Sequence, residues 1–157
     1  MRCKGVTLIE LVVAVAVLAI LASAVFPVAR MTIKRQKEYE LRNNLRMIRK
    51  AIDDYKKAYD EKKIPQKLGA SGYPSSLREL VEGADDMTSA VYGRKIVFLR
   101  RIPRDPFNEN KDLKPEETWG IRSYGSPPED PKEGEDVYDV YSLSEEKAID
   151  GTYYKDW

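Results

Sequence analysis

Gly5-Val6-Thr7-Leu8-Ile9-Glu10-Leu11-Val12-Val13 opens an apolar run that continues through residue 28. Thr7 and Ser23 are mildly polar, and Glu10 is the strongly polar residue within it. About 23 residues at ~1.5 Å each give roughly 34 Å of helix, enough to cross a hydrocarbon core. A helix of Val, Ile, Leu and Ala also satisfies its own backbone in lipid. Ahead of the run, Met1-Arg2-Cys3-Lys4 is short and basic.

Three readings account for such a run. A cleaved secretory signal peptide explains the basic start. Its nearest small-x-small site, Ala22-Ser23-Ala24, is however followed by more helical pattern and not by a loop. A plain membrane anchor explains the length and leaves a carboxylate stranded inside the apolar run. The third is a prepilin-type leader joined to a filament-forming helix. Residues 5–13 closely resemble the class III signal of type IV pilins and type II secretion pseudopilins. That pattern is a basic leader ending in Gly, an apolar residue, often Thr-Leu-Ile-Glu, then a long apolar helix. The resemblance implies that a membrane-embedded aspartic prepilin peptidase cuts between Gly5 and Val6, and that the same enzyme N-methylates Val6. The family most often has Phe at the position of Val6. The expected organisation is a leader at 1–5, a transmembrane and assembly helix at 6–29, and a periplasmic globular domain at 30–157.

Glu10 follows from physical chemistry as well. An ionised carboxylate in a bilayer costs a few kcal/mol or more and calls for a partner. Cleavage after Gly5 creates a cationic amine on Val6, one helical turn away. That amine pairs with Glu10 within one helix or, as the resemblance favours, across neighbouring subunits, where the pair sets the axial step of a filament. Pro27 removes the backbone bond to the Ser23 carbonyl, so a bend or loosening is expected there, partly compensated by the Ser23 hydroxyl. The resemblance implies that the helix melts just before this proline during assembly; Ala19 stands where the family usually has glycine. A purely structural kink is the alternative.

Arg30, Lys34, Arg35 and Lys37 form a basic band that reads as a solvated or headgroup-facing surface. Leu41, Leu45, Ile48, Ile52, Tyr55 and Tyr59 then recur at steps of four and three, an apolar stripe on one helical face. One helix over residues 6–59 is expected to be roughly 80 Å long. Its first half is apolar nearly all round, which calls for lipid or for other copies of the chain.

Turn residues Pro65, Gly69, Gly72 and Pro74 follow. Ser76-Leu77-Arg78-Glu79 has capping-box spacing and predicts a short helix over 76–82, ended by Gly83. Arg94, Lys95, Arg100, Arg101 and Arg104 cluster around Ile96-Val97-Phe98-Leu99, as a solvated surface, as intersubunit salt bridges, or as a nucleic-acid patch. Residues 118–124 and 137–143 read as two strands rich in aromatic and β-branched residues, flanking a Pro-rich acidic loop at 125–134. Strand parity puts Asp139 on one face with Val137, Tyr141 and Leu143, where it caps a turn or bonds backbone. Ile102-Pro103-Arg104-Asp105-Pro106-Phe107 resembles the Pro-x-Asp-Pro-(Trp/Phe) turn of G-type pseudopilins. Asp139-Val140-Tyr141-Ser142-Leu143 resembles their last strand. The implied fold is α+β and type IV pilin-like: a long N-terminal helix packed on a small antiparallel sheet. The resemblance also implies a structural calcium after the last strand. Ser144 and Asp150 are the candidate side-chain ligands here, and Asp150-Gly151 reads equally as a turn.

Composition narrows the function. Lys plus Arg number 27 against 26 Asp plus Glu, and this net charge of +1 makes no global case for a nucleic-acid partner. No histidine is present, which removes Ser-His-Asp and Cys-His catalysis and His-ligated zinc. The one cysteine, Cys3, excludes an intrachain disulfide and leaves with the leader. Major type IV pilins commonly close their C-terminal region with a disulfide, so the resemblance favours a type II secretion pseudopilin over a pilin for adhesion, motility or DNA uptake. Its implied partners are copies of itself, minor pseudopilins, the prepilin peptidase and the inner-membrane assembly platform with its ATPase. Its implied place is the bacterial inner membrane, single-pass, with the C-terminal domain in the periplasm. A membrane-anchored periplasmic enzyme is the reading from another class. Asp and Glu remain for acid–base work, but no Gly-rich phosphate loop or nucleophile elbow accompanies them.

Overall fold

A computed structural model describes residues 5–157, except the side chains of residues 23–27. The leader residues Met1, Arg2, Cys3 and Lys4 lie outside the described residues. The chain divides into two compact units, residues 1–36 and 37–157, and helix α1 (Leu8–Asp60) contributes to both.

In the first unit, Thr7 starts the helix. Its Oγ1 accepts the Glu10 N–H at 3.3 Å and its carbonyl accepts the Leu11 N–H at 3.1 Å. A hydroxyl at this position satisfies one of the donors that a helix N-terminus leaves without partners. Beyond it the large apolar side chains are exposed, from Leu8 at 81 % to Val17 at 50 %. Among the described residues no helix is long and apolar enough to cross a membrane. The described apolar side chains run continuously only to residue 22, about 22 Å of α1, and resume at Val28. The expected span over 6–29 and the expected bend at Pro27 both involve residues 23–27. The helix assignment continues through them, but the side chains of Pro27 and Ser23 lie outside the description.

In the second unit, α1 buries the stripe read from the sequence. Leu41, Leu45, Ile48, Ile52 and Tyr55 are buried, joined by Ala51 and Ala58, while Tyr59 packs at the margin. The small alanines lie between the larger residues and let neighbouring elements approach the helix. Against this face pack Leu77 and Leu80 of α2 (Leu77–Glu82), Leu99, Trp119, Val137, Val140 and the tail residues Ala148 and Tyr154.

Helix α2 occupies the expected place, but its capping differs. Ser76 makes no side-chain cap bond. Glu79 instead accepts the Ser75 N–H and Ser75 hydroxyl, both at 2.8 Å, and the Tyr55 hydroxyl at 2.9 Å. The carboxylate therefore ties α1, the preceding turn and α2 together. Gly83 ends α2 at φ 74°, and a Cβ there would collide with the Ile96 carbonyl. That close approach seats β1 (Ala84–Asp85) on β2 (Lys95–Ile96), paired antiparallel. These two-residue strands have no legible period in the sequence.

The expected strand pair is present and shorter: β3 (Trp119–Arg122) pairs antiparallel with β4 (Asp139–Ser142). Thr118 belongs to a 3₁₀ turn, Pro115–Thr118. Val140 and Ser142 point inward and are fully buried, whereas Asp139 and Tyr141 are half-exposed and Leu143 is exposed. Val137 is buried too, so the expected common face of Val137 with Asp139, Tyr141 and Leu143 does not hold. Val137 precedes the strand and donates its N–H to the Pro74 carbonyl, and parity is not carried across that point. On the outer face the Tyr141 ring lies over Gly120, where no Cβ fits. The long helix with small antiparallel sheets is an α+β architecture consistent with a type IV pilin-like fold.

Candidate functional site

The N-terminal segment is the first candidate. Among the described residues no heavy atom lies near the place of a Cβ at Gly5. Val6 is 72 % exposed. Glu10 is exposed in the first turn of α1, where a carboxylate is favoured by the helix dipole. Among the described residues no ion pair reaches its carboxylate. The sequence reading passed over Thr7, whose spacing to Glu10 is that of an N-cap to the third helical position and was legible as such.

The second place is buried. Asp105, 2 % exposed, accepts the Ser142 hydroxyl at 2.5 Å and the Phe107 N–H at 2.8 Å, and its own N–H donates to the Thr118 hydroxyl at 3.1 Å. Burial raises its pKa, opposed by the Ser142 hydroxyl, the Phe107 N–H and the charge of Lys37. Thus the two motifs that resemble G-type pseudopilins, 102–107 and 139–143, meet through one hydrogen bond. Nearby, Asn44 of α1 donates to the Arg104 carbonyl and the Trp119 indole to the Pro103 carbonyl. Arg104 turns inward, donating to the carbonyls of Leu113 and Asn110, so it is no part of an exposed basic patch. Arg94, Lys95, Arg100 and Arg101 are exposed. The expectation for Asp139 is that it caps a turn or bonds backbone. It accepts the Val140 N–H at 2.8 Å, and it also pairs with Arg49 of α1 at 2.7 Å and Arg122 of β3 at 3.3 Å.

The third place is the C-terminal segment. Ser144 accepts the Glu146 N–H. Asp150 Oδ1 accepts the Thr152 hydroxyl and N–H at 2.6 and 3.0 Å, and Oδ2 takes Arg42 of α1 at 3.2 Å. The Thr152 hydroxyl, its N–H and then the Arg42 charge hold the Asp150 carboxyl below its usual value. Among the described residues no group of three or more carboxylate or thiol side chains could hold a metal ion. Glu38, not singled out in the sequence, accepts both the Ile149 N–H at 2.8 Å and the Tyr154 hydroxyl at 2.9 Å. Tyr154 is fully buried, stacked on Phe107 at 3.9 Å and met edge-on by Trp157 at 5.1 Å. Burial, then the Glu38 carboxylate, pushes its phenol well above the ordinary tyrosine range.

Two surface depressions complete the candidates. One, about 580 Å³, is lined by Tyr55, Tyr59, Tyr73, Glu79, Lys95 and Asp136. The other, about 540 Å³, lies beside the outer face of β3 and β4 at Gly120 and Tyr141. In the first, the Ser75 hydroxyl lies 2.8 Å from the Glu79 carboxylate, a pair already engaged in joining α1 to α2.

Comparison with known proteins bears on the first place alone. Neither the curated proteins nor the solved structures contain a match to the chain. Residues 1–26 match the model described as the prokaryotic N-terminal methylation motif. That motif, on a long helix leading into an α+β fold, supports a type IV pilin-like or pseudopilin class and points to a structural protein rather than an enzyme.

Proposed function

We propose that the chain is a structural subunit of a type II secretion pseudopilus. In this reading the prepilin peptidase removes residues 1–5 and methylates Val6. The apolar half of α1 first holds the subunit in the inner membrane as a single pass over residues 6–29, with the globular unit in the periplasm. It then becomes the core of a homopolymer. Glu10 recruits the Val6 amine of a neighbouring copy, and loosening near Pro27 lets the stem adapt to its neighbours. The observation that carries the reading is the methylation motif leading into exposed apolar helix, with side chains such as Leu8, Ile9 and Leu18 uncovered within their own chain. Fully burying each such residue is worth about 1.5–3 kcal/mol, which lipid and then other stems supply.

The preference for secretion over a pilus rests on the bond between Asp105 and Ser142, which joins two segments that each resemble G-type pseudopilins. The absence of cysteine after residue 3 also suits that choice. A type IV pilin for adhesion, motility or DNA uptake is the second reading, and the methylation motif suits it equally. Deletion of the gene separates them. Folded exoproteins retained in the periplasm, with surface motility and DNA uptake intact, are expected for a pseudopilin. Normal secretion with lost motility or uptake identifies a pilin.

A further inference from the structure

The implied calcium meets a donor set that does not suit it. A calcium ion takes six to eight oxygen ligands, several of them carboxylate. Here both oxygens of Asp150 are engaged, one of them by a guanidinium at 3.2 Å. Ser144 has a different partner, Glu146, and does not share the Asp150 network. Among the described residues no buried side-chain nitrogen or oxygen is left without a hydrogen-bond partner, so none awaits an ion.

The segment is instead fastened from α1. Glu38 and Arg42 are one turn apart and therefore present one face. Glu38 receives a backbone N–H from Ile149 and the buried phenol of Tyr154. Arg42 donates to Asp150 and lies over the Trp157 ring at 4.1 Å. Within the segment, the Trp157 indole donates to the Thr152 hydroxyl, whose proton goes to Asp150, and Lys147 pairs with Tyr153 in a one-residue antiparallel bridge. We infer that this latch, Glu38 and Arg42 against Asp150, Tyr154 and Trp157, replaces a structural cation, so that the C-terminal segment is ordered without calcium. The arginine supplies at Asp150 the positive charge that a bound cation would otherwise bring, and the two aromatic rings supply the packing. The inference is independent of whether the filament serves secretion or a pilus.

Hydrogen exchange on the full chain in detergent micelles tests it, with calcium chloride at millimolar concentration or with EDTA. The Ile149 and Tyr154 amides are expected to exchange at the same rate in both. Arg42→Ala removes the ion pair and the ring contact, and Glu38→Gln replaces charge-assisted bonds by neutral ones. Each is expected to speed those amides about fivefold while the β3–β4 amides stay protected. Calcium that slows the Ile149 and Tyr154 amides severalfold in the wild-type chain overturns the inference. So does unchanged exchange in both variants, because the segment is then held by something other than the latch.

Discussion

Leu18 and Leu45 belong to one helix and are the same residue, yet Leu18 is 64 % exposed and Leu45 is 2 %. The stretch around Leu18 is apolar on every side, and its large apolar side chains are exposed among the described residues. Around Leu45 the apolar residues keep to one stripe, and α2, β4 and the C-terminal segment cover that stripe from within the chain. Local sequence makes both stretches helical. What separates them is the covering surface, intramolecular for one and, in the proposed filament, supplied from outside for the other. Helix propensity is a weak term in either case, and tertiary or quaternary burial decides stability.

The sharpest way to break this contrast is at its two named leucines. Leu45→Asp puts an unpaired charge in the core and is expected to cost the globular unit about 3–5 kcal/mol, enough to abolish cooperative unfolding. Leu18→Asp is expected to leave that unfolding transition where it is, because no residue of the core depends on Leu18. Thermal unfolding of both full-length variants in detergent, followed by near-UV circular dichroism, makes the comparison. A folded Leu45→Asp protein means that the buried face is misassigned.

The next test addresses the stem alone. Glu10→Leu removes the costly carboxylate and is expected to insert at least as well as wild type, yet to lower sedimentable filament about tenfold or more through the lost pairing with Val6. A bulky side chain at Gly5 is expected to leave Met1 in place, since the peptidase must approach the backbone closely. Shearing and sedimentation measure the first and intact mass the second. Wild-type amounts of filament from Glu10→Leu would falsify the pairing.

A smaller effect belongs to the core's buried acid. Asp105→Ala leaves the Ser142 hydroxyl and the Phe107 N–H without their acceptor and is expected to cost about 2 kcal/mol. Asp105→Asn keeps an acceptor and loses the charge. Burial raises the folded pKa of Asp105, so the folded state binds its proton more tightly than the unfolded chain does. That contribution is fully present below the unfolded carboxylate value, falls as pH rises through the folded value, and is flat above it. The melting temperature of Asp105→Asn, taken relative to wild type, is therefore expected to climb across that window and then level off. A difference independent of pH would mean that Asp105 is not burdened by burial.

What could be read from the chain follows the same division. The stem motif at residues 5–13 and the stripe from Leu41 were legible because each is a local pattern, one at the start of α1 and one along it, where spacing and period carry the information. Asp105 and the segment around Ser142 were each noticed, but their hydrogen bond was not, because 37 residues separate them and no local pattern encodes such a meeting. Nothing local marks Glu38 or Arg42, because the tail residues they hold lie more than 100 positions away. The inward face of β4 was misjudged because parity was counted from Val137, whose backbone bonds to Pro74 and not to a strand partner. The β1–β2 pair went unread because two residues cannot establish an alternation.

The bond from Tyr154 to Glu38 closes a loop of 116 residues, nearly all of the second unit. A contact of such sequence separation forms late, because the chain between must be gathered before the contact rewards it. During synthesis the helix emerges first, and its stripe remains open on the Glu38–Arg42 side until Tyr154 and Trp157 have been made. Emergence of residues 149–157 is thus what lets this side of the helix be covered. A chain truncated before Tyr154 is expected to present an uncovered helix face to proteases and holding chaperones.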